Sequence, residues 1–275
     1  MLIDAGVSDR RADRGLVLSA ETGCGSIGGL EWKTELYLAT DGAKVRVCTM
    51  IADPERVGVM CGTPHAAPVF VPKDIETVME EALSAEKLGL RVLGATNGDF
   101  FDMFGDCSPS GLCVSQGVTV ANPDSPNPFF GITREGNAVI GFTGDYPPDT
   151  LAEAIGGGQI IVRDGKPADT APFQPFGEKT HPRTAFGIAR DGRIIATVVD
   201  GRRPDWSNGA ALIELARIMI NNGAVTAMNT DGGGSSTFIV RINDELRMLN
   251  HPADLYRPME DLIRPLFDSL IFYEK

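Results

Sequence analysis

Residues 210–242 read AALIELARIMINNGAVTAMNTDGGGSSTFIVRI. The order helix, strand, glycine loop, strand is legible in that stretch. Over 210–222, Leu212, Leu215, Ala216, Met219 and Ile220 recur at helical spacing, and 224–229 and 237–242 are apolar runs of strand length. Between them stands Thr230-Asp231-Gly232-Gly233-Gly234-Ser235-Ser236. Successive glycines let a ligand approach the backbone and offer amides that nest an anion. Asp231 adds a carboxylate, and Ser235 and Ser236 add hydroxyls. A bare hairpin needs fewer glycines, so the loop points to function. It has no lysine and is not a Walker phosphate loop.

Upstream, 35–40 and 44–51 alternate around Asp41-Gly42, a strong hairpin signal. Residues 131–142 form a second hairpin around Glu135-Gly136-Asn137, and 184–190 with 193–200 a third around Asp191-Gly192. Short strands are expected at 92–96, 112–115, 118–121, 159–163 and 269–273. The spacing predicts a further helix over 74–88, capped by Asp74 and ended by Gly89. Residues 151–155 read as a helical turn, 1–30 as irregular or holding one short strand, and 166–182 as irregular. Hairpins with two principal helices predict one α+β domain over 1–275, built on a mixed, largely antiparallel sheet.

Composition agrees. Of 275 residues, 43% are hydrophobic and 23% charged, enough apolar material for a core, while 32 Gly and 18 Pro argue against a helical bundle. A net charge of −12 disfavours nucleic acid but leaves room for a small anion held by a local arginine cluster. No stretch approaches the roughly 18 apolar residues of a membrane helix. No apolar segment follows Arg10, Arg11, Asp13 and Arg14, so no signal peptide is visible; the expectation is a cytoplasmic chain, or a secreted one after removal of a signal. The five cysteines contain no CxxC pair, which argues against a finger-type zinc site and for reduced, mostly buried thiols. Cys107 and Cys113 are close enough in sequence to span a loop.

Three further segments sit at strand ends. In His181-Pro182-Arg183-Thr184, Arg183 suits a carboxylate or phosphate bidentately; alone it reads equally as a surface arginine or a structural ion-pair partner. Asp200-Gly201-Arg202-Arg203 and Asn97-Gly98-Asp99-Phe100-Phe101-Asp102 are the others, each also readable as a plain turn. There is no GxSxG, and His65, His181 and His251 are few candidates for the base of a serine hydrolase.

The order of these segments resembles the phosphodiester glycosidase domain family. The likeness is densest over 151–240, in Ala154-Ile155-Gly156-Gly157-Gly158, Val162-Arg163-Asp164-Gly165-Lys166, His181-Pro182-Arg183-Thr184-Ala185, Val199-Asp200-Gly201-Arg202 and Asp231-Gly232-Gly233-Gly234-Ser235-Ser236. Asn250, Pro252 and Asp254 resemble a further family segment. The resemblance implies hydrolysis of a glycosidic bond to phosphate, or in a related acidic glycan, with N-acetylglucosamine and exopolysaccharide metabolism as family themes. It implies a carbohydrate or sugar-phosphate substrate and no required cofactor. Asp231 and Asp200 become the candidate catalytic residues, with Asp99 next. Asn97, His181, Arg183, Thr184, Arg202, Gly232, Gly233, Gly234, Ser235 and Ser236 become candidate substrate-binding residues. The family often has Asn-Leu-Asp where this chain has Asn229-Thr230-Asp231, and 103–130 and 203–209 depart from its pattern and are expected to shape the substrate pocket. Two rivals remain at this stage. One is a phosphodiesterase using a divalent cation on Asp99, Asp102, Asp200 and Asp231. The other is a non-catalytic carbohydrate-binding or assembly module.

Overall fold

The hairpins announced by the turn residues form as hairpins. In the computed structural model, which describes residues 13–124, 126–169, 176–254 and 263–275, β1 (Val17–Ile27), β2 (Leu30–Leu38) and β3 (Lys44–Ala52) make an antiparallel meander. β4 (Val57–Gly62), the helix Val78–Lys87 and β5 (Val92–Asn97) follow, then β6 (Cys113–Ser115), β7 (Val118–Ala121), β8 (Phe129–Thr133), β9 (Ala138–Gly141) and β10 (Leu151–Gly156). The second half runs through β11 (Gln159–Arg163), β12 (Lys166–Pro167), β13 (Arg183–Ala189), β14 (Ile194–Val199), the helix Leu212–Asn221, β15 (Ala224–Asn229), β16 (Phe238–Ile242), β17 (Glu245–Met248) and β18 (Ser269–Glu274). The strands divide among three sheets, ordered β1-β2-β3-β14-β13-β15-β11-β12, β7-β6-β10-β8-β9 and β17-β16-β5-β18-β4. Every pairing among the described strands is antiparallel. No described helix is long and apolar enough to cross a membrane.

Alternating side chains of the large sheet face two different cores. Met50, Phe186, Ala196, Val198 and Met228 pack with Leu93, Phe238, Leu270 and Phe272 of the β16-β5-β18 sheet and with Phe130 and Ile155 of the β8–β10 pair. On the opposite face, Val45, Val47, Ala185 and Ile195 receive Leu215, Ala216 and Met219 of the helix Leu212–Asn221. The helix Val78–Lys87 covers the far side of the β5-β18-β4 sheet, setting Val78, Ala82 and Ala85 against Met60, Ala95 and Ile271. A strand covered on both faces has no polar side to show, which is why β14 reads IIATVV and is buried throughout.

Four expectations are corrected. The N-terminal segment is not irregular: β1 is an 11-residue strand. Register shifts between Leu18 and Ala20 and between Glu21 and Gly23 break the alternation that would have announced it. The helix expected over 74–88 begins later. Thr77 caps it, accepting from the Glu80 amide at 3.2 Å while Glu80 accepts from the Thr77 amide at 2.8 Å; Asp74 lies upstream, paired with His65. Residues 151–155 form β10, not a helical turn. Leu151, Ala154 and Ile155 imitate helical spacing because a bulge between Leu151 and Glu153 shifts the pleat. The sheet structure is three sheets rather than one.

Candidate active site

Five strand ends converge where the large sheet meets the β16-β5-β18 sheet: the last residue of β5, the first of β13, and the exits or starts of β14, β15 and β16. Asn97, wholly buried, ties them. Its amide donates to the Asp231 carbonyl at 2.8 Å, and its oxygen accepts from Thr184 Oγ1 at 2.8 Å and the Thr237 amide at 3.2 Å. Asp231 N in turn donates to the Gly98 carbonyl at 3.2 Å. Thr230 spends its hydroxyl on the same carbonyl, so the polar residue standing at this position is satisfied inside the fold.

The loop held this way forms the floor of a cleft of ≈ 190 Å³, walled by His181, Arg183, Arg202 and Arg264 and by Phe100 and Phe176. Gly233 adopts φ +66, and a Cβ there would stand 2.8 Å from the Arg202 guanidinium; a Cβ on Gly232 would stand 2.6 Å from the Pro182 carbonyl. Both positions therefore exclude larger residues, for contact with the wall and not merely for turn geometry.

Asp231 is the one carboxylate among the residues lining this cleft, which Arg183, Arg202 and Arg264 also line. Its Oδ1 accepts from the Gly232 amide at 2.7 Å. Ser235 Oγ, beside it, accepts from Arg264 Nη1 at 3.3 Å. Burial pushes the Asp231 pKa up to about 6, against the pull of Ser235, the Gly232 amide, Arg264 and Arg202. Arg264 is itself fixed by a bidentate pair with Asp254. Arg183 is buried, stacks 4.5 Å above the Phe176 ring and donates to the carbonyls of Ala210, Phe176 and Lys179 at 3.1, 3.0 and 2.9 Å. Desolvation, then repulsion from Arg202, brings its pKa down to about 10. Burial, then the charges of Arg183, Arg202 and Lys179, push His181 down to about 4, so its ring is neutral at neutral pH.

Of the residues expected from sequence, Asp231, Arg183, Arg202, His181 and Gly232, Gly233 and Gly234 line the cleft. Asn97, Thr184, Ser235 and Ser236 lie buried just behind it. Asp99 and Asp200 are not among the lining residues. Asp99 accepts from the Phe100 and Gly111 amides at 2.7 and 2.6 Å. Asp200 accepts from Trp206 Nε1 at 2.8 Å, Asn250 Nδ2 at 3.2 Å and the His251 amide at 2.9 Å. Asp99, Asp102, Asp200 and Asp231 are not gathered as a cation site; among the described residues such a grouping of ligand atoms occurs at Cys61, Cys113 and Asp268 instead. The unfamiliar segments 103–130 and 203–209 supply no lining residue among those described: Trp206 packs between Arg46 and His251. Sequence reasoning missed Arg264, which lies in a stretch without secondary structure, and Phe176. The only mark of Arg264 was its partner Asp254, within a segment resembling the family.

Comparison with known proteins accords with this geometry. A profile of the family described as phosphodiester glycosidase matches residues 91–264. N-acetylglucosamine-1-phosphodiester alpha-N-acetylglucosaminidase of Mus musculus is 31% identical over 211 residues, covering 70% of this chain and 39% of the mouse protein. The Homo sapiens protein of that name is 30% identical over 183 residues, covering 60% and 34%. This chain thus spans less than half the length of either relative. Its fold is that of the catalytic domain of the zebrafish protein of the same name, with a TM-score of 0.70, 21% identity and coverage of 94% of this chain and 88% of that one. The matched span runs through every charged residue of the cleft, from Arg183 to Arg264, and the chain belongs to the phosphodiester glycosidase family.

Proposed function

We propose that this protein hydrolyses the bond between a sugar C1 and a phosphate oxygen in a sugar phosphodiester, with N-acetylglucosaminyl phosphodiesters as the substrate class, by analogy with the relatives that carry that name. One observation carries the reading: a single carboxylate, Asp231, in a cleft otherwise charged by three arginines, on a chain of net charge −12. Such a cleft selects an anion locally while the rest of the surface repels one. Glycosidases commonly need a second carboxyl group to protonate the leaving group. A phosphomonoester, with a second pKa of about 6, leaves near neutral pH without that help and needs charge stabilisation instead. Arg183, Arg202 and Arg264 supply it. Asp231 acts on the anomeric side, as nucleophile or as base toward water. Asp99 and Asp200 are positioning residues, since their oxygens hold the backbone at Phe100 and Gly111 and the segment from Asn250 to His251.

The test is product identity with a methyl phosphodiester of N-acetylglucosamine 1-phosphate. Free N-acetylglucosamine and methyl phosphate are expected by chromatography and phosphorus NMR. N-acetylglucosamine 1-phosphate and methanol would mean P–O cleavage and overturn the reading, as would saturable binding without turnover.

A further inference from the structure

β4 and β6 belong to different sheets, yet Cys61 on the first and Cys113 on the second bring their sulfurs to 3.6 Å, buried, with a carboxylate oxygen of Asp268 close by. The three ligand atoms lie within 4.8 Å of one another. None of the three lines the cleft. Two sulfurs bound about 2.3 Å from a tetrahedral zinc stand about 3.8 Å apart, whereas a disulfide requires about 2.05 Å. At 3.6 Å the two thiols share a hydrogen bond and already stand near the former spacing. A second observation points the same way. Asp268 Oδ2 and Glu81 Oε1 are both buried and have no hydrogen-bond partner, which is costly for carboxyl groups. Glu81 belongs to this neighbourhood: its Oε2 accepts from Ser269 Oγ, next to Asp268, and lies 2.9 Å from where a Cβ on Gly62, next to Cys61, would stand. Among the described residues no lysine or arginine forms an ion pair with Asp268 or Glu81.

We propose that Cys61, Cys113 and Asp268 form a site for a soft divalent cation, zinc by preference, with Glu81 as the neighbouring oxygen donor. Thiolate pairs select zinc and its congeners over magnesium or calcium. Binding displaces one proton from each thiol, and the cation then neutralises charge that the interior otherwise refuses. The ligands lie outside the cleft lining and touch it through Asp268, whose Oδ1 accepts from the Asp99 amide at 2.6 Å. The site's effect is to pin β4 to β6 and both to the strand following Asp268, so it is structural. Cysteines 52 positions apart on separate sheets make a ligand pair that no spacing motif announces.

The test uses the full chain, reduced and treated with a chelator, then titrated with Co²⁺. The expected result is one equivalent bound, with thiolate-to-cobalt charge transfer in the near ultraviolet that Zn²⁺ abolishes, and a higher melting temperature with either ion. Cys113→Ser should remove most of the charge-transfer band, and Asp268→Asn should weaken binding at least about tenfold while keeping it. Cys48→Ser, at a buried thiol outside the cluster, should leave the spectrum intact. Folding of each variant is checked by circular dichroism, and the wild-type titration stands without them. A folded wild-type chain without the band, or a band unchanged by Cys113→Ser, overturns the proposal. So does a purified chain lighter by two hydrogens with Cys61 cross-linked to Cys113, which would make the pair a disulfide.

Discussion

Asp231 carries a conflict that a single substitution can expose. Its pKa of about 6 in the fold stands above the 3.8 of an unperturbed aspartate. The unfolded chain therefore gives up this proton near pH 4 and the folded chain only near pH 6, so stability falls as pH rises through that window. The penalty at neutral pH is below the roughly 3 kcal/mol of the full shift, because the carboxylate is open to the cleft and partly screened. Asp231→Asn mimics the protonated acid. It should lower kcat on the order of 100-fold or more and yet raise the melting temperature at pH 7.5, with no gain at pH 4. A melting temperature lowered at both values would mean that the carboxylate is structural. In the wild type, kcat/KM should rise with pH through about 6, and His181, already neutral there, adds no second step. Arg202 tests the other half of the site. Arg202→Ala should cost phosphodiester turnover about 2–4 kcal/mol in kcat/KM and a neutral aryl glycoside of the same sugar much less. Equal losses on both substrates would remove the phosphate role. At this scale the sequence revealed residues whose chemistry is bound to a local motif, Asp231 and its glycines above all. It concealed Arg264, whose place depends on a bidentate pair with Asp254 and on Ser235, neither of them a pattern of spacing. It placed Asp200 beside Asp231, with Asp99 next, because sequence does not show which carboxylate at a strand end lines a cleft and which accepts from amides behind it.

For an element, the question is what its shape permits. The loop Gly232–Gly234 runs between the Pro182 carbonyl and the guanidiniums of Arg202 and Arg264, and its middle residue holds a left-handed conformation. Gly233→Val meets both obstacles at once: a β-branched residue at φ +66, with its Cβ against Arg202. Turnover should fall below detection and the strain should lower the melting temperature by a few degrees, while circular dichroism keeps its folded form, since the loop lies outside the packed hydrophobic cores. Retained activity would remove the loop from the site. Elements bounded by turn residues were the legible ones. Asp41-Gly42, Gly117 and Asp191-Gly192 mark real reversals, because each glycine takes positive φ where the chain needs it. The β16–β17 hairpin turns on Asn243-Asp244 at φ +51 and +64, and without a glycine it gave no comparable signal. β1 and β10 were obscured by bulges, which erase period two at the very residues one would count.

Across the whole molecule, the fold class was readable because hairpin signals and two amphipathic helices survive any arrangement of sheets. The division into three sheets was not, since it depends on which strands meet after the chain has closed loops of more than a hundred residues. The site is built from those closures. Asn97 and Asp231 are 134 positions apart, Asn97 and Thr237 140, and Asp99 and Asp268 169. Local hairpins form early and cheaply, whereas contacts of that separation require most of the chain to be in place. Catalytic competence should then be the slowest property to return after dilution from denaturant. Regain of turnover is expected to trail the recovery of far-ultraviolet circular dichroism, with a separate, later phase in stopped-flow and manual-mixing assays. If both signals recover with one rate constant, the cleft assembles together with its strands, and Asn97 joins surfaces that were never apart.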